Sequence, residues 1–391
     1  MKSILKFGVP ILACSILCLA SIESQDDLND LSDFIEGHRK ENHNPGIAVS
    51  IVKDTAVLWK KGFGYSNINE QEAMTTDVIG NVGSVAKTIT ATAIMQLWEQ
   101  QFIQLDADIN TYLPFPVRNP HFPESKITVE QLLTHTSSII DNRSYEQSYS
   151  CGDSNIPLQS WLINYFDNGM GAFSEATPGS NYGYSNVGYG LLGAIVEHVS
   201  KKPFNVYCRE HIFTPLEMNQ TGWFLNEINS EKHMTPYLYA PEKERKNVPP
   251  GIQKLLISEE VKADENNALC LYGFANYPDG LLRTSLDDLS NFLIAMINGG
   301  SYSGKQLLKK ETVAFMLTPN SPENDKQGLC WRYTGMENIW GHGGDDPGVQ
   351  AGLYFNPDLK IGMICLKNNN MGSRTEILRE LYVTAKRLRD E

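Results

Sequence analysis

The sequence predicts an α/β protein of the α+β type, in which an antiparallel sheet is flanked by helices and interrupted by an inserted, mainly helical domain. Three observations predict it. β-Rich runs joined by tight turns stand near both ends of the chain. Helical patterns lie before, between and after those runs. The residues between them are loops and short helices, which suits a separate layer rather than more sheet. The sheet-bearing part comprises residues 28–105 plus 279–391, and the insert residues 106–278.

The first element is not expected to be part of the fold. Lys2 and Lys6 precede an almost wholly apolar stretch from Phe7 to Ala20, and polar residues follow from Glu23. That is the plan of a secretory signal peptide over residues 1–20, so a secreted or periplasmic protein is expected. The apolar run of about 16 residues is short for a membrane span and contains Pro10. Ile11-Leu12-Ala13-Cys14 resembles a lipoprotein box only loosely, because Cys14 falls early and apolar sequence continues past it. A lipid anchor is the lesser reading, and no stable membrane association is expected after cleavage.

Residues 28–40 have the period of a helix, and residues 46–53 and 56–64 are strand-like runs joined by Asp54-Thr55, a hairpin signal. Residues 80–88 then lead into a segment apolar on nearly every face, which predicts a helix enclosed all round. Leu113-Pro114-Phe115-Pro116 marks a change of texture. Beyond it, short helices are expected at 129–134, 160–166, 189–200 and 203–212. Residues 227–267 are the most polar stretch and read as an exposed excursion. Thr284-Ser285-Leu286-Asp287 carries a capping-box signature for a helix ending at Asn298-Gly299-Gly300. Strands are expected at 328–334, 338–344, 349–355 and 360–366, the last two joined by Asn356-Pro357-Asp358, and a helix at 376–389.

Composition narrows the function. A chain of 391 residues with 41% apolar and 20% charged residues is long enough for a large core. Its net charge of −13 and lack of a basic tract exclude nucleic acid and anionic membrane as natural partners, leaving small molecules. Five cysteines remain after the signal segment (Cys151, Cys208, Cys270, Cys330 and Cys365), so one or two disulfides would leave a free thiol. Cys330 and Cys365 read as buried small hydrophobes. The eight histidines form no H-E-x-x-H and no tight cluster, so neither a metal nor an organic cofactor is expected.

The chemistry is carried by three stretches. Ser-x-x-Lys occurs at Ser3–Lys6, Ser50–Lys53 and Ser84–Lys87. Only the last has helical context and a glycine approach, Gly80-Asn81-Val82-Gly83; in a strand, Ser50 and Lys53 would point to opposite faces. A serine three residues before a lysine at a helix start reads as a nucleophile with its proton partner, or more blandly as a cap and a snorkelling lysine. Lys87 could serve as the base if burial or nearby positive charge depresses its pKa. Tyr184-Ser185-Asn186 lies in a loop at a predicted helix start, whereas the other Tyr-Ser-Asn, from Tyr65, ends a strand. Trp340-Gly341-His342-Gly343-Gly344-Asp345 reads as a strand open to close approach, or as a glycine-rich edge with an incidental histidine.

In this order the three stretches resemble the serine β-lactamase and penicillin-binding protein superfamily, specifically its class C β-lactamase-related branch. Ser84–Lys87 matches S-x-x-K, Tyr184–Asn186 matches Y-x-N, and His342–Gly344 stands at the K-T-G position. The likeness extends over residues 127–137, 212–218, 280–289 and 341–348 and covers roughly residues 28–390. It implies a β-lactamase/transpeptidase-like fold. It also implies an acyl-enzyme on Ser84, with Lys87 and Tyr184 sharing the proton work and Asn186 orienting Lys87 and the substrate. The oxyanion hole would be the backbone N–H groups of Ser84 and Asp345. His342, Gly343, Gly344 and Asp345 would line the substrate.

Where β-lactamases of this branch carry Lys-Thr-Gly, this chain has His342-Gly343-Gly344, followed by Asp345 and Asp346. A neutral imidazole and two acids at the mouth would disfavour an anionic β-lactam. The expected activity is therefore an exported serine hydrolase of the esterase or D-amino-acid peptidase/amidase type. A true β-lactamase or a D-Ala-D-Ala carboxypeptidase is the first alternative. A non-catalytic peptidoglycan- or partner-sensing protein on the same fold is the second. An α/β-hydrolase is excluded by the lack of a Gly-x-Ser-x-Gly elbow.

Overall fold

Alternation along the first strand dictates the layering. In a strand, successive side chains point to opposite faces, and here Ile47, Val49 and Ile51 enter one apolar cluster while Ala48 and Val52 enter the other. Ser50, on the second face, bonds Ser290 Oγ at 3.1 Å in the core, which removes it from the Ser-x-x-Lys candidates. The strand is therefore central, with helices on both sides. The computed structural model describes residues 11–388 except 168, 242, 245–246, 258–264 and 322–323. Of the segment read as a signal peptide, residues 1–10 lie outside the described residues, and of residues 11–24 only the helical backbone is described.

In chain order the framework is α1 (Ile11–Glu41), β1 (Gly46–Lys53), β2 (Ala56–Asn67), β3 (Glu72–Ala73) and α2 (Ala86–Glu99). After the intervening segment come α3 (Asn186–Ser200) and α4 (Leu286–Ile297). Strands β4 (Arg332–Tyr333), β5 (Trp340–Asp346), β6 (Val349–Asn356) and β7 (Ile361–Lys367) and helix α5 (Arg374–Arg387) complete it. The seven strands form one sheet in the order β4-β5-β6-β7-β1-β2-β3, with antiparallel pairing throughout. The first and last long strands are neighbours, Ile47 facing Lys367. Helices α1 and α5 cover one face through Leu31, Ile35, Ile377 and Leu381, and α4 covers the other through Leu289, Phe292 and Leu293. Every residue of α2 from Ala86 to Leu97 is buried, Lys87, three threonines and Gln96 included, as a segment apolar on nearly every face predicts.

Three expectations need correction. The strand expected at 328–334 shrinks to Arg332–Tyr333, because Leu329 and Cys330 donate their N–H groups out of the sheet, to Met316 O and Leu133 O. The cap of α4 is Ser285, which accepts the Asp288 N–H at 3.1 Å, one residue later than the capping-box reading; the Thr284 hydroxyl is held by Thr221 instead. The polar stretch 227–267 is no free excursion where described. Met234, Tyr237 and Leu255 are buried, and residues 237–239 pair with 266–268.

One disulfide joins Cys151 to Cys270, and Cys208, Cys330 and Cys365 are free and buried. The bridge ties a short strand at Ser150–Cys151 to its partner at Tyr272–Gly273. It closes a sequence separation of 119 residues, for which a chain-entropy account gives about 5 kcal/mol and bridges in practice deliver about 2–4 kcal/mol. Replacing both cysteines by serine is expected to lower unfolding stability by about that amount in urea titrations. An unchanged midpoint would mean that the bridge does not constrain the unfolded chain.

Candidate active site

The turn before α2 carries the site. Asn81 accepts the Gly83 N–H on its side chain at 2.8 Å, and Gly83, at φ +50°, opens a single 3-10 turn over Gly83–Val85 that runs directly into α2. Ser84 therefore sits on the turn and Lys87 on the first turn of the helix, on the same face. The Lys87 Nζ is buried and donates to Ser84 Oγ at 3.0 Å, Asn186 Oδ1 at 2.7 Å and the Asp279 carbonyl at 2.7 Å. Three acceptors account for all three protons of an ammonium group.

Tyr184 and Asn186 arrive at the start of α3. Ser185 caps that helix by accepting the Gly188 N–H at 3.1 Å. Asp141 accepts the N–H groups of Asn186 and Val187 at 2.9 and 3.0 Å, a carboxylate where the helix dipole favours one. The Tyr184 ring is fixed from below by His135, whose ring centroid is 4.3 Å away and whose Nδ1 accepts the Ser185 N–H at 3.2 Å. Its other side looks onto Lys87, with Nζ 5.0 Å from the ring centroid.

Strand β5 closes the third side. A Cβ on Gly344 would stand 3.0 Å from Ser84 N and 2.0 Å from Val82 O, and one on Gly83 would stand 2.9 Å from Asp345 N. Only glycines let the strand and the serine turn approach so closely, and they bring the Ser84 and Asp345 amides side by side. His342 is buried in this strand with Nδ1 2.7 Å from Gly343 O. Burial, and then the charge of Lys87, push it down to about 3, so it is a neutral imidazole. A cavity of about 550 Å3 opens over these groups, lined by Ser84, Tyr184, Asn186, His342, Gly343 and Asp345 together with Lys326, Arg332 and Arg374. All eight residues singled out in the sequence thus converge: Lys87 lies beneath Ser84, Gly344 behind it, and the other six line the cavity.

The electrostatics differ from expectation in two ways. Burial alone would depress Lys87, but ionised Tyr184, Asp279 and Asp141 outweigh it and hold the amine above the ordinary lysine value. Burial raises the Tyr184 phenol, while Lys87 and the Ser84 hydroxyl pull it back down. The second difference is a correction: Asp345 and Asp346 do not make the mouth negative. Asp345 is paired through both oxygens with Arg374 Nη1 at 2.7 Å. Asp346 faces inward, accepting from Tyr149 at 2.7 Å and Asn81 at 3.1 Å, and burial pushes it up to about 7. With exposed Lys326 and Arg332 at the rim, the cavity carries more positive than negative side chains.

Sequence reasoning missed Asp141, Asp279, Arg332 and Arg374. The cap at Asp141 and the turn at Pro278-Asp279-Gly280 look like ordinary loop acids, and no motif distinguishes the two arginines. Among the described residues there is no group of three or more His, Cys, Asp or Glu fit to hold a metal ion, and no helix is long and apolar enough to cross a membrane.

An antiparallel sheet flanked by helices, with a glycine-backed serine turn against its edge, defines the β-lactamase/transpeptidase-like fold. The Beta-lactamase family model matches residues 31–385, and the chain belongs to that family. It is similar to protein flp of Staphylococcus aureus (strain MRSA252), at 23% identity over 89% of this chain and 64% of that one. The chain thus spans under two thirds of that relative's length. Among solved structures it resembles the octameric penicillin-binding protein homologue from Pyrococcus abyssi (TM-score 0.74, 27% identity, 93% of this chain and 77% of that one). It also shares its fold with the D-amino acid amidase from Ochrobactrum anthropi SV3 (TM-score 0.75, 19% identity, 93% and 99%).

Proposed function

We propose that the chain is an exported serine hydrolase that transfers the acyl group of an amide, peptide or ester to water through Ser84. The observation that carries this reading is the buried Lys87 ammonium donating to Ser84 Oγ at 3.0 Å beside Tyr184. With all three Lys87 protons already donated, the proton of Ser84 is best accepted by the Tyr184 phenolate, the form that the Lys87 charge favours and burial opposes. Ser84 Oγ bonds the carbonyl carbon as its proton passes to Tyr184. The carbonyl oxygen gains charge between the Ser84 and Asp345 amides. The proton then moves to the leaving nitrogen or oxygen as its bond to carbon breaks. Water repeats the sequence on the acyl-enzyme and frees Ser84. Asn186 holds Lys87, and the protein's own groups suffice for every step.

The cations at the cavity favour a substrate with a free carboxylate on its leaving side, as in a peptide C-terminus, over a neutral ester. This brings the penicillin-binding carboxypeptidase reading level with the amidase one, which the resemblance to a D-amino acid amidase supports. Arg332→Ala is expected to raise KM about tenfold for a D-aminoacyl-D-alanine peptide and to leave the corresponding C-terminal amide within about twofold. Equal effects on both would remove carboxylate recognition from Arg332. The Cys151–Cys270 bridge suits an oxidising compartment and so supports export, to the periplasm or outside the cell.

The test is intact-mass analysis of the purified chain after exposure to a fluorophosphonate, a labelled penicillin and D-aminoacyl anilides, with peptide mapping of any adduct. A stoichiometric adduct on Ser84 is expected. Its absence with all three probes would favour a sensing protein on the same fold.

A further inference from the structure

Behind Lys87 lies a buried acid that the acylation steps above do not use. Asp279 is completely buried at the end of the 3-10 turn Tyr277–Asp279, and its carbonyl receives a Lys87 proton at 2.7 Å. Its carboxyl is held separately: Oδ2 accepts the Tyr145 hydroxyl at 2.5 Å, and Oδ1 has no hydrogen-bond partner among the described residues. Burying a carboxyl with one oxygen unpaired is unfavourable, so such a group calls for an explanation beyond packing.

We propose that Asp279 is a positioning residue for Lys87: its carbonyl aims the ammonium at Ser84, and its tyrosine-bound carboxylate keeps that ammonium charged. The inference rests on the roles given above to Ser84, Lys87 and Tyr184, and adds the device that maintains them. A lysine this deep would ordinarily be driven toward the neutral amine. The groups facing it from each packed element are few. Tyr184 and Tyr189 approach from the start of α3, the Tyr189 ring centroid 5.5 Å from Nζ, Asp141 from the loop that caps that helix, Asp279 from the Tyr277–Asp279 turn, and buried Asp346 and neutral His342 from β5. His135, from the loop after residues 129–133, is held neutral by burial and by Lys87. Asp141 is committed to the helix N–H groups and Asp346 to Tyr149 and Asn81, and the Tyr184 phenolate gives up its charge when it takes the Ser84 proton. Asp279 is the acid whose own carbonyl also binds Lys87, and among the acids it raises the amine most.

Asp279 is itself surrounded by Lys87, Tyr145, Asp141 and Asp346. Burial pushes it up to about 7, with Lys87 and Tyr145 pulling the other way. Its charge is therefore present above neutral pH and lost below it. Replacing it by asparagine should matter on the alkaline side alone, where the two forms differ. Tyr145→Phe removes the same hydrogen bond but leaves a carboxylate that is ionised at alkaline pH.

The test follows the Lys87 side chain itself by 13C NMR of the ε-carbon in lysine-labelled full-length protein, assigned with Lys87→Met. The Lys87 midpoint is expected about one pH unit lower in Asp279→Asn, the scale of shift a neighbouring opposite charge produces, and unmoved in Tyr145→Phe. Fluorophosphonate labelling of Ser84 between pH 5 and 10 is read in parallel. The two variants and wild type should superimpose below about pH 6, and only Asp279→Asn should lose rate early on the alkaline side. An unmoved Lys87 midpoint in Asp279→Asn, an equal shift in Tyr145→Phe, or a uniform loss of labelling at all pH values would each overturn the proposal. Failure of wild type to label Ser84 would instead sink the hydrolase reading, while the NMR titration still decides whether Asp279 holds the lysine charged.

Discussion

Ser84→Ala is expected to abolish covalent labelling by fluorophosphonate and penicillin and to cut turnover of activated esters at least about 10^4-fold, the scale on which loss of a serine nucleophile is felt. The fold should be unaffected, because the Ser84 hydroxyl has little structural work. It accepts one hydrogen bond from Lys87, while the turn is made by Asn81 and by Gly83, whose φ is +50°. Removing one such acceptor costs about 1 kcal/mol, well within the stability of an ordinary domain. Residual turnover would come from the paired Ser84 and Asp345 amides and from substrate binding alone. Equal labelling of wild type and variant would move the nucleophile elsewhere.

Lys87→Met should lower the rate of acylation by roughly 10^3-fold, within the range assigned to a positioned proton-transfer group, and leave a folded protein. Methionine matches the length of the side chain without its charge, so the helix keeps its packing. The Asn186 amide oxygen and the Asp279 carbonyl lose their donor, for which a destabilisation of about 1–3 kcal/mol is expected in denaturant titrations. Retained near-ultraviolet dichroism with lost labelling places Lys87 in the chemistry. Unfolding would make it chiefly a strut between α2, α3 and the Asp279 turn.

What was legible in the sequence was local. Ser84 and Lys87 share a helical face, Tyr184 and Asn186 straddle a capped helix start, and His342 to Asp345 lie on one glycine-rich strand; each is a pattern a few residues long. The sheet was readable for the same reason, since strands joined by turns of two to four residues declare their neighbours. What could not be read depends on contacts between distant segments. Against burial, Lys87 is held above the ordinary lysine value by Tyr184, by Asp279, 192 positions away, and by Asp141. The sign of the cavity mouth turned on Arg374 reaching from α5 to Asp345, and on Asp346 facing Tyr149 and Asn81 rather than solvent. Neither the partner nor the facing direction of a charged side chain is written in its neighbours. Resemblance to a family carried the convergence of the three motifs. It did not carry the acids and arginines that tune them.

The neighbourhood of β1 and β7 has a consequence for how the protein comes into being. A strand formed by residues 46–53 has its inner partner at residues 361–367, so the sheet cannot close until the chain as far as residue 367 has left the ribosome. The serine turn likewise acquires its second amide only when β5 arrives against it. A growing or still unfolded chain therefore carries Ser84 with nothing to activate it. Under the proposed function, reactivity arrives only with the long-range pairing that completes the sheet, and no shorter stretch of the chain carries it.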